Sequence, residues 1–315
     1  MSGSVLRACR FVARLKVLIA LFMLSSMPLA HAAAPFDAWA GVFVAGDYKA
    51  HNGADSEVFD NGRRDIATAF VAAGLKRENT LQFSVRPERY ANTPEKPLAS
   101  VPAALESEMG KLTAKATGGC VFFYTSHGAP QGVVMGALGV SPRGMAYLID
   151  KTCGDRPSLV IISACFSGVF VPALSAPTRV VLTAARRDRS SFGCGESDVY
   201  TFFDACVLEE LPQSQAFDVL GERVRACVEK RETAMGVTPP SEPQMSVGET
   251  IKATMKTYAL ARSYTVKKGD TLARISKQMY GEPTHASVIF EANKGLLRRQ
   301  EAPPKPGQTL TIPPT

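Results

Sequence analysis

LVIISACFSG, residues 159–168, opens as an apolar run and ends in a thiol and a glycine-terminated turn. Leu159 to Ile162 leave no polar face, the pattern of a strand covered on both sides in a parallel sheet. Cys165 then stands at the strand tip. A cysteine in that position is more often a small packing residue than a nucleophile, so its reading depends on what stands beside it. GCVFFYTSHG, residues 119–128, is built in the same way and ends in His127 and Gly128. The 38 positions from His127 to Cys165 have room for QGVVMG as a short extended segment and SPRGMAYLIDKT as a helix. One such crossover lets the two strands lie parallel as neighbours with their tips together.

The alternation extends both ways. WAGVFVAG from Trp39 reads as a strand, DSEVFDNGRRDIATAFVAAGL as a helix stopped at Gly74, and TLQFSV as the next strand. Ser100 is expected to cap the helix VPAALESEMGKLTAKA, which carries Pro102 in its first turn. After residue 168, RVVLTAA gives a further strand, and DVYTFFDACVLEEL and SQAFDVLGERVRACVEKRETA give two helices. The expectation is an α/β domain over residues 34–235, with a parallel-rich sheet and helices on both faces. MGVTPPSEPQMSVGE then shifts to proline, glycine and serine, so residues 236–262 are read as a linker with a short connecting helix.

In such a sheet, reactive groups gather beyond the carboxyl ends of the strands. An imidazole beside a thiol favours the thiolate and can later hand a proton to a leaving group. The chain has only four histidines, and the one at a strand tip beside glycine raises the joint reading of Cys165 and His127 above that of either residue alone. Gly128 leaves the backbone open to close approach, so its N–H and that of Cys165 are candidate oxyanion donors.

The N-terminus has Arg7, Arg10, Arg14 and Lys16, then VLIALFML, then PLAHAAA, the layout of a secretory signal, with cleavage expected after Ala32. The apolar core is short for a membrane span, and no later stretch would cross a bilayer after cleavage. The formal net charge of +7 falls to about +3 once those four cations leave. Residues 263–315 hold eight Lys or Arg against four acids, so the body before them is slightly acidic. This argues against nucleic acid as a partner and allows an acidic wall polymer as a partner of the tail. Six of the seven cysteines remain in the mature chain, and an exported compartment permits disulfides. No CxxC spacing or Cys/His cluster points to a metal, and the proposed chemistry needs no cofactor. Cys206–Cys227 and Cys194–Cys206 are both open as pairings, while Cys120 is expected to pack at the start of its strand.

YTSHG, ISACFSG and the later TAARRDRSSFGC resemble the signature blocks of the legumain-type asparaginyl endopeptidases, cysteine peptidases of the caspase-like fold. The resemblance implies a His127/Cys165 dyad, oxyanion donors at Gly128 and Cys165, and cleavage of peptide bonds in proteins or peptides, typically after Asn or Asp. Relatives with this core also act as transpeptidases or transamidases. The specificity pocket departs from the animal and plant pattern. Ser163 stands where those enzymes have an acid, and His51 or Asn52 where an arginine is expected. Ser190 and Ser191 retain the serine pair, and Asp198 is the candidate surviving pocket acid, or else the N-cap of the following helix. The basic run at 185–189 can meet an acidic substrate side chain or simply be a solvated loop.

Residues 263–315 read as strand, helix, helix, strand. Asp270 or Thr271 caps the first helix, whose Leu272, Ile275 and Met279 share a face. YTVKKGDTLARIS, EANKG and PGQTLTIP closely resemble a lysin-motif (LysM) domain, a small βααβ unit that holds N-acetylglucosamine-containing glycans such as peptidoglycan. The resemblance places Gly269, Asp270, Thr271 and Leu272 opposite Asn293 and Lys294 in the glycan groove, with Leu272 serving chiefly as core. Together these readings describe an exported cysteine endopeptidase, periplasmic or wall-associated, tethered to peptidoglycan. The alternatives are acyl transfer to an amine by the same dyad, or an inactive wall-binding envelope protein.

Overall fold

The computed structural model describes residues 36–254 and 261–313. The expected leader, residues 1–32, lies outside the described residues.

Seven strands form the main sheet: β1 (Ala40–Ala45), β2 (Thr80–Ser84), β3 (Leu98–Ala99), β4 (Cys120–Thr125), β8 (Ser158–Ser163), β9 (Arg179–Thr183) and β10 (Gln244–Val247). Their order is β10-β9-β8-β4-β1-β2-β3, parallel throughout except for β10. A separate three-stranded antiparallel sheet follows β4 and consists of β5 (Gly128–Ala129), β6 (Gly132–Met135) and β7 (Leu138–Val140).

The central strands are apolar on both faces because helices cover both. Val121 and Phe123 of β4 face α1 (Val58–Ala72), α5 (Phe202–Glu210) and α6 (Phe217–Ala234), packing with Phe43, Phe70 and Phe203. Phe122 and Tyr124 point the other way, towards α2 (Pro102–Lys115), α3 (Pro142–Cys153) and α4 (Val171–Leu174), among Leu105, Met145 and Ile149. This period-two alternation between two apolar layers is why a continuous hydrophobic run was needed.

Three expectations change. Ser100 does not cap α2, whose N-cap is Val101; the Ser100 hydroxyl is buried and donates to the Ala45 carbonyl at 2.8 Å. Residues 236–262 are not simply a linker, since β10 pairs with β9 and α7 (Glu249–Thr254) buries Ile251 in the core. The outer edge of β9 needs backbone partners, and the sparse apolar residues Met245 and Val247 in a proline-rich stretch supply them. Gly221 of α6 makes room for this, as a Cβ there would stand 2.3 Å from the Met245 sulfur. Finally, Cys120 does not merely pack: it is disulfide-bonded to Cys153 and ties the start of β4 to the end of α3. Cys206–Cys227 joins α5 to α6, which excludes the Cys194–Cys206 pairing. Cys165 and Cys194 are free.

The C-terminal module has the expected βααβ order, with β11 (Arg262–Thr265), α8 (Leu272–Tyr280), α9 (Ala286–Ala292) and β12 (Thr309–Ile312). β11 and β12 pair antiparallel over a small core of Tyr264, Leu272, Ile275, Ile289, Leu310 and Ile312. Thr271 is the N-cap of α8, its hydroxyl accepting from Arg274 N at 3.2 Å.

Candidate active site

β4 and β8 run side by side in register, with Thr125 opposite Ser163. Each strand continues two residues to a reactive side chain, His127 on one and Cys165 on the other, and Ser126 N donates to Ser163 O at 3.0 Å as the strands leave the sheet. Gly128 then passes so near the neighbouring turn that a Cβ would lie 2.1 Å from the Cys165 carbonyl oxygen. Phe166 adopts a left-handed conformation, φ +58°, which is unfavourable for a side chain bearing Cβ. The strain is held by contacts on both sides: Phe166 N donates to Arg189 O at 2.8 Å, and the buried Ser167 hydroxyl accepts from Ala185 N at 3.1 Å. The turn that lifts Cys165 out of β8 is thus clamped to the loop that follows β9.

His127 and Cys165 line one open cleft of about 650 Å³. The His127 ring packs edge-on against Phe59, with centroids 5.1 Å apart, and its Nε2 lies 2.9 Å from the Lys49 carbonyl oxygen. A carbonyl only accepts, so Nε2 carries the hydrogen and Nδ1 keeps the lone pair. Asp47 shapes the turn that presents this carbonyl, its carboxylate accepting from the N–H groups of Tyr48 and Lys49. Cys165 is half-buried, and Ser191 N–H points at its sulfur at 3.3 Å. The Cys165 thiol in turn donates to the Ser191 carbonyl oxygen at 3.5 Å.

The remaining expected site residues divide. His51, Ser190, Ser191 and Asp198 line the cleft with the pair. His51 Nδ1 approaches the Cys194 carbonyl at 3.4 Å. Asp198 is not a helix cap, because Thr201 caps α5; its Oδ2 instead accepts from Gly195 N at 2.7 Å and shapes the cleft wall. Asn52 is exposed away from the cleft, and its Oδ1 accepts from Ala54 N in a local turn. Ser163 does not reach the cleft either. It is 1% exposed, with its hydroxyl 3.4 Å from that of Thr201, because the last residue of a strand covered on both faces points into the layer beneath.

Four contributors were not legible beforehand. Lys49 acts through its carbonyl and Phe59 through its ring, neither of which carries a sequence signature. Cys194 lines the cleft, and burial pushes its thiol up to about 11, with Cys165 nearby adding to the shift. Asp204 lies beneath the strand tips, fully buried, and burial pushes its carboxyl up to about 6.

In the C-terminal module, Gly269 and Thr271 are exposed and Asp270 is half-buried. The Asp270 carboxylate is held below its ordinary range by the Lys267 N–H and also accepts from the Tyr264 hydroxyl. Leu272 is buried in the core. Asn293 does not face outward: its amide donates to Ile289 O and Thr311 O and accepts from Thr311 N, so every polar atom is spent bracing α9 against β12. Lys294 is exposed and pairs with Glu291 at 2.5 Å.

Residues 103–253 match the model of the Peptidase C13 family. The chain carries a Peptidase C13 domain. This match runs through β10 and nearly all of α7, beyond the composition boundary at 235, while β1, β2 and β3 precede its start yet belong to the same sheet. A LysM domain match follows over residues 264–313. Among curated proteins, potassium binding protein Kbp of Escherichia coli is 47% identical over 70 residues, 22% of this chain and 44% of that protein, so the chain spans less than half of that relative. Among solved structures, caspase-1 from Spodoptera frugiperda superimposes with a TM-score of 0.49 at 13% identity, covering 70% of this chain and 92% of that one. Among the described residues, no helix of the C13 or LysM domain is long and apolar enough to cross a membrane.

Proposed function

We propose that the protein is an exported cysteine endopeptidase that cleaves proteins at the cell wall through a Cys165–His127 dyad, with preference for Asn or Asp at P1. The observation that carries this reading is the placement of His127 and the unpaired Cys165 at the in-register tips of adjacent parallel strands, facing one cleft. The Cys165 sulfur attacks the substrate carbonyl carbon while His127 Nδ1 takes the thiol proton. The resulting oxyanion sits against the N–H groups of Gly128 and Cys165. Collapse breaks the C–N bond, and the departing amine receives the proton from His127. Water then attacks the thioester, giving its proton to His127, and the acid product leaves as the Cys165 thiol is restored.

His51 and Asp198, with Ser190 and Ser191, form the wall that meets P1. The Asp198 carboxylate gives this wall an acceptor for the NH2 group of an Asn carboxamide. The C-terminal LysM domain supplies the tether to N-acetylglucosamine-containing glycan, through the exposed loop at Gly269, Asp270 and Thr271 and through Lys294. Leu272 and Asn293 support that loop from within the core. Tethering raises the local enzyme concentration and restricts cleavage to proteins at the wall.

The test is to label the mature protein, under mild reduction, with peptidyl electrophiles carrying Asn, Asp or another P1 residue, alongside Cys165→Ala and His127→Ala. Labelling that needs both residues and varies with P1 is expected. A reduced, accessible Cys165 that no probe labels overturns the peptidase and favours a wall-binding protein without catalysis.

A further inference from the structure

Among the described residues, Asp204 is the acid buried beneath the strand tips. It is 0% exposed, and its Oδ1 has no hydrogen-bond partner. Oδ2 accepts from the Thr125 hydroxyl at 2.7 Å, and Thr125 is the last residue of β4, two before His127. Asp204 N donates to the Thr201 hydroxyl at 3.0 Å, which lies 3.4 Å from that of Ser163, two residues before Cys165. Thr201 in turn ends the cleft-wall loop, which Phe202 N closes on Phe192 O at 2.9 Å. Asp204 therefore bonds the root of the histidine tip directly and reaches the root of the cysteine tip and the cleft-lining loop through Thr201.

The fold makes room for this group at some cost. Gly62 of α1 leaves its space, since a Cβ there would stand 2.5 Å from Oδ2. The position in the first turn of α5 favours an anion, but an unpartnered buried carboxylate oxygen is expensive where a neutral side chain of the same shape would fit. A purely structural role would be met more cheaply by Asn.

We propose that Asp204 is a positioning residue for the cysteine–histidine pair, its carboxylate holding β4 through Thr125 and its backbone N–H holding Thr201 against Ser163 of β8. The inference rests on the dyad proposed above. Every element packed on the carboxylate presents a neutral group: Thr125 from β4, Ser163 from β8, Thr201 from the cleft loop and Gly62 from α1. Among the described residues, burial and these hydroxyls alone set its titration, with no Lys, Arg, His or second acid contributing.

The test compares the mature protein with Asp204→Asn and Thr125→Val, measuring iodoacetamide alkylation of Cys165 by peptide mass spectrometry between about pH 5 and pH 8, with melting temperature and peptide hydrolysis in parallel. The expected result is that the wild type alkylates fastest at every pH in this range. Asp204→Asn should also alkylate roughly tenfold more slowly at neutral pH while melting no lower than the wild type, and Thr125→Val should share the slowing. Wild-type rate and pH profile in Asp204→Asn overturn the clamp. So does slowing that only accompanies lost stability in both variants. Because alkylation reads the thiol and not turnover, a wild type that alkylates as expected but hydrolyses no peptide sinks the peptidase reading and leaves the clamp standing.

Discussion

Gly128 and Cys165 are packed backbone to backbone: a Cβ at 128 would lie 2.1 Å from the Cys165 carbonyl oxygen and 3.0 Å from the Ala164 side chain. The two strand tips are held together by the absence of one methyl group. Gly128→Ala therefore has to push the histidine turn away from the cysteine turn. We expect Cys165 labelling by a peptidyl electrophile to slow by roughly a hundredfold, as for a displacement of about 1 Å in a catalytic array. Overpacking should cost about 2 kcal/mol of stability in denaturant titration. Wild-type labelling in Gly128→Ala would falsify the close approach as a requirement.

A thiol census checks the disulfides. In the protein lacking residues 1–32, alkylation without reduction should modify Cys165 and Cys194 alone and leave Cys120–Cys153 and Cys206–Cys227 intact. Cys194 should react sluggishly near pH 8, since a thiol pushed up to about 11 by burial is almost wholly protonated there. Rapid modification of Cys194 would contradict its placement against Phe59 and Val58.

Asp198 shapes the cleft wall by accepting from Gly195 N at 2.7 Å, without bonding Cys165 or His127. Asp198→Ala should raise KM for an Asn peptide by roughly tenfold, the effect of one lost charge-assisted hydrogen bond. Iodoacetamide alkylation of Cys165 should be unchanged. Equal losses in both assays would show that Asp198 supports the dyad itself.

The Asp204 carboxyl is raised in the folded protein, so ionising it costs more there than in the unfolded chain, where an Asp titrates near 4. That cost is fully present above about pH 6 and fades as pH falls through 6 towards 4. Asp204→Asn removes the cost, so its stability advantage over wild type should be of the order of 2 to 3 kcal/mol at neutral pH and vanish near pH 4. Chemical denaturation of both proteins at a series of pH values measures the difference. An advantage that does not vary with pH would contradict the burial of an ionised group.

In the LysM domain, Asn293→Ala breaks three hydrogen bonds, two to β12 and one back to α9, and should unfold the module or cost it about 3 kcal/mol. Lys294→Ala, at an exposed ion pair, should leave melting unchanged and weaken only glycan pull-down. If Asn293→Ala melts normally yet loses glycan binding, Asn293 is a contact residue and its inward placement is wrong.

Sequence by itself determined the strand–helix alternation, the positions of His127 and Cys165 just after two of the strands, and the element order of the C-terminal module. Each is written in local terms: doubly apolar runs such as 120–125 and 159–162, glycine after His127 and Cys165, and a short self-contained βααβ pattern. What tertiary structure decided was every property that depends on contact across the sheet. It turned Ser163 inward, paired Cys120 with Cys153, added residues 244–247 to the sheet edge and gave His127 the Lys49 carbonyl. It also buried Asp204, whose neighbours Thr125 and Ser163 lie 79 and 41 positions away in the chain. Periodicity encodes which face of an element is apolar, but a carbonyl, a disulfide partner or a buried acid gains its role only when distant segments meet, and that meeting is fixed by packing.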